Sequence, residues 1–537
     1  MSKAADMAKV SARGGFHLLW GLAASTVITS IGVIVLARLL SPSDFGLYTI
    51  ALTIPNLIQN FRDWGTSYAI VKYSAQYYSE NKESKVKEII FSGLIFQTVL
   101  GIVLTVVTFL LSDFFAASLF QRPDLGYLIQ IVSLSLLSGS FISLVQTKAG
   151  TSTSAAQAAF VGLEKMEFNS ITLLILSIIR TVLTSLFVII GLGSFGAVVG
   201  YTLSLLLAGS TSVLLISIIF SELPKKPISE MKILSNIKFM LHYGFPLSIA
   251  TIVQGFLLQF YLVVLAVFAS DAVIGNYSVA TNFVVLITFF ATPVTTMLFP
   301  AFSKLNAEKD GEDLINVFRF SVKYGAFLVV PVTFLVICLS QPAVFVLFGS
   351  QYSSSPLFLS LLAITYLYSA FGFLSVTNLL NGQGQTRLNL KLTLLMGLIG
   401  FPLGFVLISQ FDVIGLILTT LIAEIPSMII GLYWIRKNYG ITIDGLSSVK
   451  ILLSSAVASA LTYVVVTHLA FDSWISLVVG VAVFVPLYVL ASLLTRTVTL
   501  ADVNNLRDMT KSLGLLHRVF VLVLDFYEKL MIAFKLE

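Results

Sequence analysis

The sequence predicts an all-α protein that crosses a membrane about fourteen times. Three observations predict it: an apolar composition, a series of apolar stretches of bilayer length, and a one-sided distribution of Lys and Arg. Of 537 residues, 57% are hydrophobic and 11% are charged. Soluble domains carry about 25% charged residues. A water-facing surface needs polar side chains that this chain lacks, so its outer surface is expected to face lipid.

A helix needs roughly 20 apolar residues to cross about 30 Å of hydrocarbon. The stretches that meet this are 15–37, 46–70, 89–111, 126–147, 169–191, 195–218, 239–268, 276–302, 322–347, 356–381, 391–410, 412–435, 450–470 and 474–495. The first is too long for a signal-peptide core and no small-x-small cleavage site follows it, so it reads as a retained span. Placing the N-terminal segment 1–14 in the cytoplasm puts 28 of the 32 basic residues on the inner side. Only Arg122, and Arg38 at the end of the first span, fall on the outer side; Arg62 and Arg180 lie within spans. This positive-inside bias places both termini in the cytoplasm and favours an even number of spans. In the tail, 496–537, the residues Arg518, Asp525, Glu528, Lys529 and Lys535 gather near one helical face among Leu, Val, Phe and Tyr. That pattern suits a helix lying in the inner membrane surface, or one packed on the bundle or on a partner.

An internal repeat organises the spans. Gly46-Leu47-Tyr48-Thr49-Ile50-Ala51 after the first span matches Gly275-Asn276-Tyr277-Ser278-Val279-Ala280 after the seventh. A second echo pairs Gly162 to Lys165 before Thr172 with Gly384 to Arg387 before Thr393. The chain therefore divides into a first lobe, 15–220, a linker, 221–238, a second lobe, 239–437, two further spans in 450–495, and the tail. Six spans per copy leave both copies in the same orientation, a parallel repeat with its axis along the membrane normal.

Ionisable groups within a span cost about 2.5–3.5 kcal/mol on insertion scales, so they are expected to face a cavity or a partner. Arg180 stands in mid-span, either facing a wet cavity where it holds a phosphate, or paired with a carboxylate such as Glu424. Arg62 and Asp63 stand in the second span with Asn56, Gln59, Asn60 and Ser67 at spacings of three and four, a polar helix face that is expected to line the cavity, or else to serve a structural interhelical network. Neighbours on a helix do not face each other, so Arg62 and Asp63 are not expected to neutralise one another. Glu424 and Asp63 are candidates for ion coupling or ion pairing. Gln254, Gln259 and Asn282 are candidate cavity liners, and interhelical hydrogen bonding accounts for them equally well. His242 reads as interfacial, and Pro55, Pro246, Pro293, Pro331, Pro402, Pro426 and Pro486 as kinks within spans.

The composition excludes several classes. The basic residues lie in short loops between spans, as orientation requires, so no nucleic-acid partner is expected. One cysteine, Cys338, and four scattered histidines make neither a disulfide framework nor a metal cluster. No phosphate-binding glycine loop, HExxH or nucleophile elbow occurs, so neither enzyme chemistry nor a cofactor is expected.

The stretch Leu36-Ala37-Arg38-Leu39-Leu40-Ser41-Pro42-Ser43-Asp44-Phe45-Gly46-Leu47-Tyr48, the second Gly-x-Tyr copy, and Phe299-Pro300-Ala301-Phe302-Ser303 carry a resemblance. They are similar to the Wzx-like polysaccharide-biosynthesis flippases of the multidrug/oligosaccharidyl-lipid/polysaccharide superfamily, over about residues 10–440. The resemblance implies two six-helix lobes about a central cavity and alternating access. It also implies export of an oligosaccharide on a polyprenyl or dolichyl (pyro)phosphate across the plasma membrane. Pathway glycosyltransferases or a polymerase follow as partners, and Arg62 and Arg180 as cations that meet the phosphate. Where the family's second span often reads Ala-Asp-Leu-Gly-Leu, this chain has Arg62-Asp63-Trp64-Gly65-Thr66. The alternatives are a cation-coupled drug exporter of the same superfamily, disfavoured by two intramembrane arginines, a membrane glycosyltransferase or ligase, and a scaffold without transport.

Overall fold

The computed structural model describes residues 3–143, 154–224, 227, 231–306, 309–469, 471–497 and 499–510, with 521, 525, 527–529, 531 and 532 of the tail. Lys148, Lys225, Lys226, Arg518 and Lys535 lie outside the described residues. Among the described residues the ordered elements are helices. They are α1 (Lys3–Leu39), α2 (Pro42–Gln59), α3 (Thr66–Ser79), α4 (Glu83–Leu110), α5 (Gly126–Ser133), α6 (Ala155–Gly162), α7 (Met166–Phe187), α8 (Gly193–Glu222) and α9 (Ile233–Phe268). They continue with α10 (Asp271–Lys304), α11 (Gly311–Cys338), α12 (Ser340–Leu347), α13 (Ser355–Leu367), α14 (Phe373–Gly382), α15 (Thr386–Tyr439), α16 (Gly445–Leu469), α17 (Ser473–Leu494) and α18 (Leu500–Thr510).

Nine helical stretches among the described residues are long and apolar enough to cross a bilayer. Two of them run to 57 and 54 residues, Met166–Glu222 and Thr386–Tyr439. At 1.5 Å per residue each is more than twice a crossing length, and each turns back on itself, at Gly191–Gly193 and at Asp412. Each is therefore a pair of spans. The pair α13 and α14, bent by 54°, is together long and apolar enough for a broken span or a re-entrant loop. This architecture is compatible with fourteen crossings. Large apolar side chains such as Leu110, Leu214 and Val478 are exposed, as a lipid-facing surface requires.

Local chemistry sets the helix starts. Before α2, Ser41 is extended and its hydroxyl accepts the Asp44 amide at 3.1 Å, while Pro42 takes the first helical position. This is the favoured arrangement for an N-terminus, because proline has no amide to leave unsatisfied there.

The structure departs from two expected spans. The second is not one helix: α2 stops at Gln59, residues 60–65 turn, and α3 restarts at Thr66. The fourth begins as α5 and tightens into a 3-10 segment, Leu134–Ser140, and α6 was not expected at all. In both places the apolar content of a span is present, but tighter backbone hydrogen bonds of the i→i−3 kind and side-chain acceptors such as Asp63 replace the regular helical ladder.

By packing the chain divides into two compact units, Met1–Asn282 with Leu390–Glu424, and Phe283–Asn389 with Ile425–Glu537. This division does not follow the repeat boundaries. In the first unit α3, α4, α6 and α9 close around Ile70, Ile90, Phe160 and Met240. The two repeat copies also meet inside this unit. A Cβ at Gly46 would overlap the Asp271 carbonyl, and a Cβ at Gly275 would overlap the Pro42 carbonyl. Thr49 and Ser278, which are 229 residues apart, bring their hydroxyls to 3.1 Å. Equivalent residues thus touch reciprocally, the signature of contact across a two-fold axis. Gly275→Val is expected to cost about 1–3 kcal/mol, because two backbones must part to admit the side chain. An unchanged thermal unfolding midpoint in detergent would contradict the close approach.

The second unit is built on α11, α16 and α17, with Ala326, Val330, Ala370 and Ile451 in one cluster and Ala458, Phe484 and Tyr488 in another. The tail docks on it. Thr499 and Asp502 cap α18 reciprocally: the Asp502 carboxylate accepts the Thr499 amide at 2.8 Å and the Thr499 hydroxyl accepts the Asp502 amide at 3.3 Å. Asp502 also takes the Lys323 ammonium at 2.6 Å and the Tyr324 hydroxyl at 3.0 Å. Arg507 pairs with Asp525 and Glu528, both at 2.6 Å, and Tyr527 and Met531 pack with Leu493 and Val503. The described part of the expected surface helix therefore lies on the bundle, because its acidic face finds Arg507 and its apolar face finds Leu493 and Val503.

Burial pushes the Asp502 carboxyl up, but the Lys323 ammonium and the two Thr499 donors outweigh it and hold it below the usual carboxylate value. A depressed carboxylate contributes stability that is fully present above its unfolded value, 3.8, and is lost as pH falls through the lower folded value. Tail release is therefore expected only in acid below that range, and Asp502→Ala is expected to release the tail at neutral pH. Protease cleavage between residues 496 and 537 reads both, and equal cleavage of native and variant chains at pH 7 would contradict the docking role.

Candidate substrate site within the membrane

The turn at 60–65 organises the first part of the site. Trp64 and Gly65 both take positive φ, 47° and 82°. At Gly65 this conformation and a close approach to the Gly244 backbone leave no room for a side chain. The turn lets Asp63 cap α3. One carboxylate oxygen, Oδ1, accepts the Ser67 amide at 2.9 Å, the Ser67 hydroxyl at 2.8 Å, the Thr66 hydroxyl at 3.0 Å and the Gln97 amide at 2.7 Å. Gln97 in α4 passes the network on, accepting the Ala155 amide of α6 at 2.8 Å. A buried carboxylate so surrounded is a structural cap and interhelical brace.

Arg62 is wholly buried. Its guanidinium fills the space that a side chain at Gly139 would take, and its stem passes Gly101. The expectation that Arg62 lines an open passage does not describe this conformation. The reason is steric: the chain leaves the helix at Asn60, and glycines on α4 and the 3-10 segment leave a slot for it. Arg62 and Asp63 are adjacent in the turn, and the Asp63 carboxylate is taken up by Thr66, Ser67 and Gln97.

Arg180 has a different setting. It stands in α7, partly exposed, with its guanidinium carbon 4.8 Å from the centre of the Tyr201 ring of α8. It also donates a hydrogen bond to the Tyr48 hydroxyl of α2. The two tyrosine rings meet edge-on, 6.3 Å between centres. Cation–π contact and the phenol oxygen hold the guanidinium, and no carboxylate among the described residues pairs with it, so its charge is supported and retains donors for an anion.

The remaining candidates are spread over the first unit. Gln59 donates to the Ser143 hydroxyl at 3.3 Å, and Asn60 donates to the Asn56 carbonyl at 3.2 Å while its side chain lies against Gly255 of α9. Asn282 turns back on its own helix, donating to the Ser278 carbonyl at 2.8 Å. Gln254 and Gln259 are half-buried in α9, and the Gln259 carbonyl oxygen is enclosed with no hydrogen-bond partner among the described residues. Glu424 is half-buried and acts electrostatically on Tyr261 of α9, whose hydroxyl lies against Gly400. The structure thus gathers Asp63 with Thr66, Ser67 and Gln97, Arg62 with Gly139, and Asn56 with Asn60, while Arg180 is gathered with two tyrosines. Sequence reasoning missed Tyr48, Tyr201 and Gln97. Tyr48 was visible as the tyrosine of the repeated Gly-x-Tyr motif; Gln97 was visible as a lone amide in an apolar span.

Comparison with known proteins shows the family of the chain. Residues 11–306 match the family described as polysaccharide biosynthesis protein. The lipopolysaccharide biosynthesis protein WzxC of Escherichia coli (strain K12) is 25% identical over 422 residues, 74% of this chain and 78% of that protein. The probable low-salt glycan biosynthesis flippase Agl15 of Haloferax volcanii is 19% identical over 243 residues, 45% of this chain and 51% of that protein. Among solved structures, the lipid II flippase MurJ in an inward closed conformation superposes with a TM-score of 0.68 at 16% identity, over 89% of this chain and 98% of that one. An inward-facing multidrug resistance MATE family transporter of the MOP superfamily gives 0.60 at 16% identity, over 78% and 94%.

Proposed function

We propose, for a chain that belongs to the polysaccharide biosynthesis protein family, the transfer of a lipid-linked oligosaccharide from the inner to the outer leaflet of the plasma membrane. The single observation that carries the reading is Arg180: a half-buried arginine within a span, its guanidinium held by Tyr48 and Tyr201. Such a group recognises a phosphate-bearing head group and repels a cationic drug. The lysine-rich ends of the helices are the cytoplasmic ones, which puts the termini inside and the Pro42 end of α2 outside. The lipid carrier is a polyprenyl or dolichyl (pyro)phosphate, and the glycosyltransferases or polymerase of the same pathway supply and consume the cargo. The chain moves its substrate by alternating access and performs no bond chemistry on it. Asp63 braces α3 and Arg62 fills the slot behind it, so the direct contact to phosphate falls to Arg180. Glu424 beside Tyr261 is the remaining candidate for ion coupling.

The test is a reconstituted flip assay. Labelled lipid-linked oligosaccharide in vesicles is expected to become accessible on the far leaflet only with the chain present. Efflux of cationic dyes with no lipid transfer would move the assignment to the drug-exporter branch.

A further inference from the structure

Arg122 stands apart from the other basic residues. It follows a π-helical turn, Phe114–Leu119, on the side of the membrane that carries almost no Lys or Arg. Its guanidinium makes four hydrogen bonds, three of them to the junction between α9 and α10. Nε donates to the Asp271 carboxylate at 2.6 Å, Nη1 to the Ala266 carbonyl at 2.5 Å and the Phe120 carbonyl at 2.9 Å, and Nη2 to the Ala269 carbonyl at 2.7 Å. Ala266 and Ala269 lie at the end of α9, where carbonyls lack helical partners and the dipole favours a cation. One arginine of the first repeat copy thereby ties down the joint between the first two helices of the second.

Beneath this tie the two copies are sealed. Gly46 against Asp271, Gly275 against Pro42 and Thr49 against Ser278 leave no space for a methyl group, let alone a sugar. A head group leaving on this side between α2 and α10 requires these helices to part. Parting strips Arg122 of a carboxylate and two helix-end carbonyls, and a guanidinium left so in a half-buried site is costly. A phosphate supplies the same acceptor chemistry in the same fork geometry.

We propose that Arg122 is an exit-side ligand for the diphosphate of the departing lipid, and that in this conformation the Asp271 carboxylate occupies that site and bolts the exit. The proposal rests on the transport reading above. The exchange of one anion for another unlocks the seal without leaving the guanidinium uncompensated.

The reporter is Ser278→Cys in a Cys338→Ser background, since Ser278 is buried in the seal. Labelling by a membrane-impermeant thiol reagent from the outer side measures opening. With Arg122 intact, labelling is expected to be slow and to rise about tenfold when a short-chain prenyl diphosphate is added. Arg122→Gln is expected to label about tenfold faster without ligand and to lose the response, while Asp271→Asn labels fast and keeps the response. Thr172→Cys, buried in α7, must stay unreactive in both variants, which separates opening from unfolding. Inorganic diphosphate in place of the lipid tells the two sources apart: a response to both supports a site for any diphosphate, and a response to the lipid alone supports the head group. A parent that ignores prenyl diphosphate, an Asp271→Asn chain as slow as the parent, or an Arg122→Gln chain that still responds each overturns the proposal. Glycan flipping in the same vesicles without any labelling response sinks the exit site and leaves the transport reading. A labelling response without flipping does the opposite.

Discussion

Arg180→Ala is expected to slow oligosaccharide transfer on the order of a hundredfold, the usual consequence of removing one partner from a desolvated charge pair. The expectation follows from the setting of Arg180. Tyr48 and Tyr201 orient the guanidinium and support its charge, yet neither neutralises it. The folded protein is expected to survive the change, because the alanine leaves a phenol and a ring face instead of an unpaired charge. Arg180→Lys is expected to recover part of the rate, since a point charge attracts phosphate but lacks the planar fork and stacks less well on the ring. Flip rates in vesicles of matched protein content measure this. Equal rates for native and alanine chains would remove Arg180 from the mechanism.

Asp63→Ala is expected to have the largest effect on stability, about 3–5 kcal/mol, the range for removing one partner from a buried charged network. The loss has identifiable parts: the Ser67 amide, the Thr66 and Ser67 hydroxyls and the Gln97 amide lose their common acceptor, and Arg62 loses the neighbouring charge. Asp63→Asn keeps an acceptor and is expected to cost less. Thermal unfolding in detergent reads both. The same variants separate bracing from ion coupling. A coupling carboxylate would lose transport with its melting temperature unchanged; a brace loses the melting temperature first.

The lesson of the second span is specific. Asn56, Gln59, Asn60, Asp63 and Ser67 fit a helical stripe, and on that basis one polar face was expected. The spacing is real, but Trp64 and Gly65 adopt left-handed backbone and divide it. A glycine in a polar run was the available signal, and apolar content alone outweighed it. Arg62 shows the same limit. Its depth in the membrane was legible, but its direction depends on Gly139, which lies 77 positions along the chain and on another element. The tail illustrates the reverse case. Its charges were grouped as a water-facing stripe, and in the fold Asp525 and Glu528 are met by Arg507.

By itself the sequence determined the membrane setting, the approximate number of crossings, the internal repeat and the presence of Arg180 within a span. These are one-dimensional properties: transfer from water to lipid is summed along the chain, and a helix satisfies its own backbone. Only the tertiary structure decided where the helices break, which arginine is enclosed and which is partly open, that Asp63 braces α3, and that equivalent residues of the two copies touch near Gly46 and Gly275. Those outcomes depend on which side chain meets which backbone across the bundle. In a medium without water, each polar group is drawn to the partner that packing brings near, and sequence distance does not record that choice.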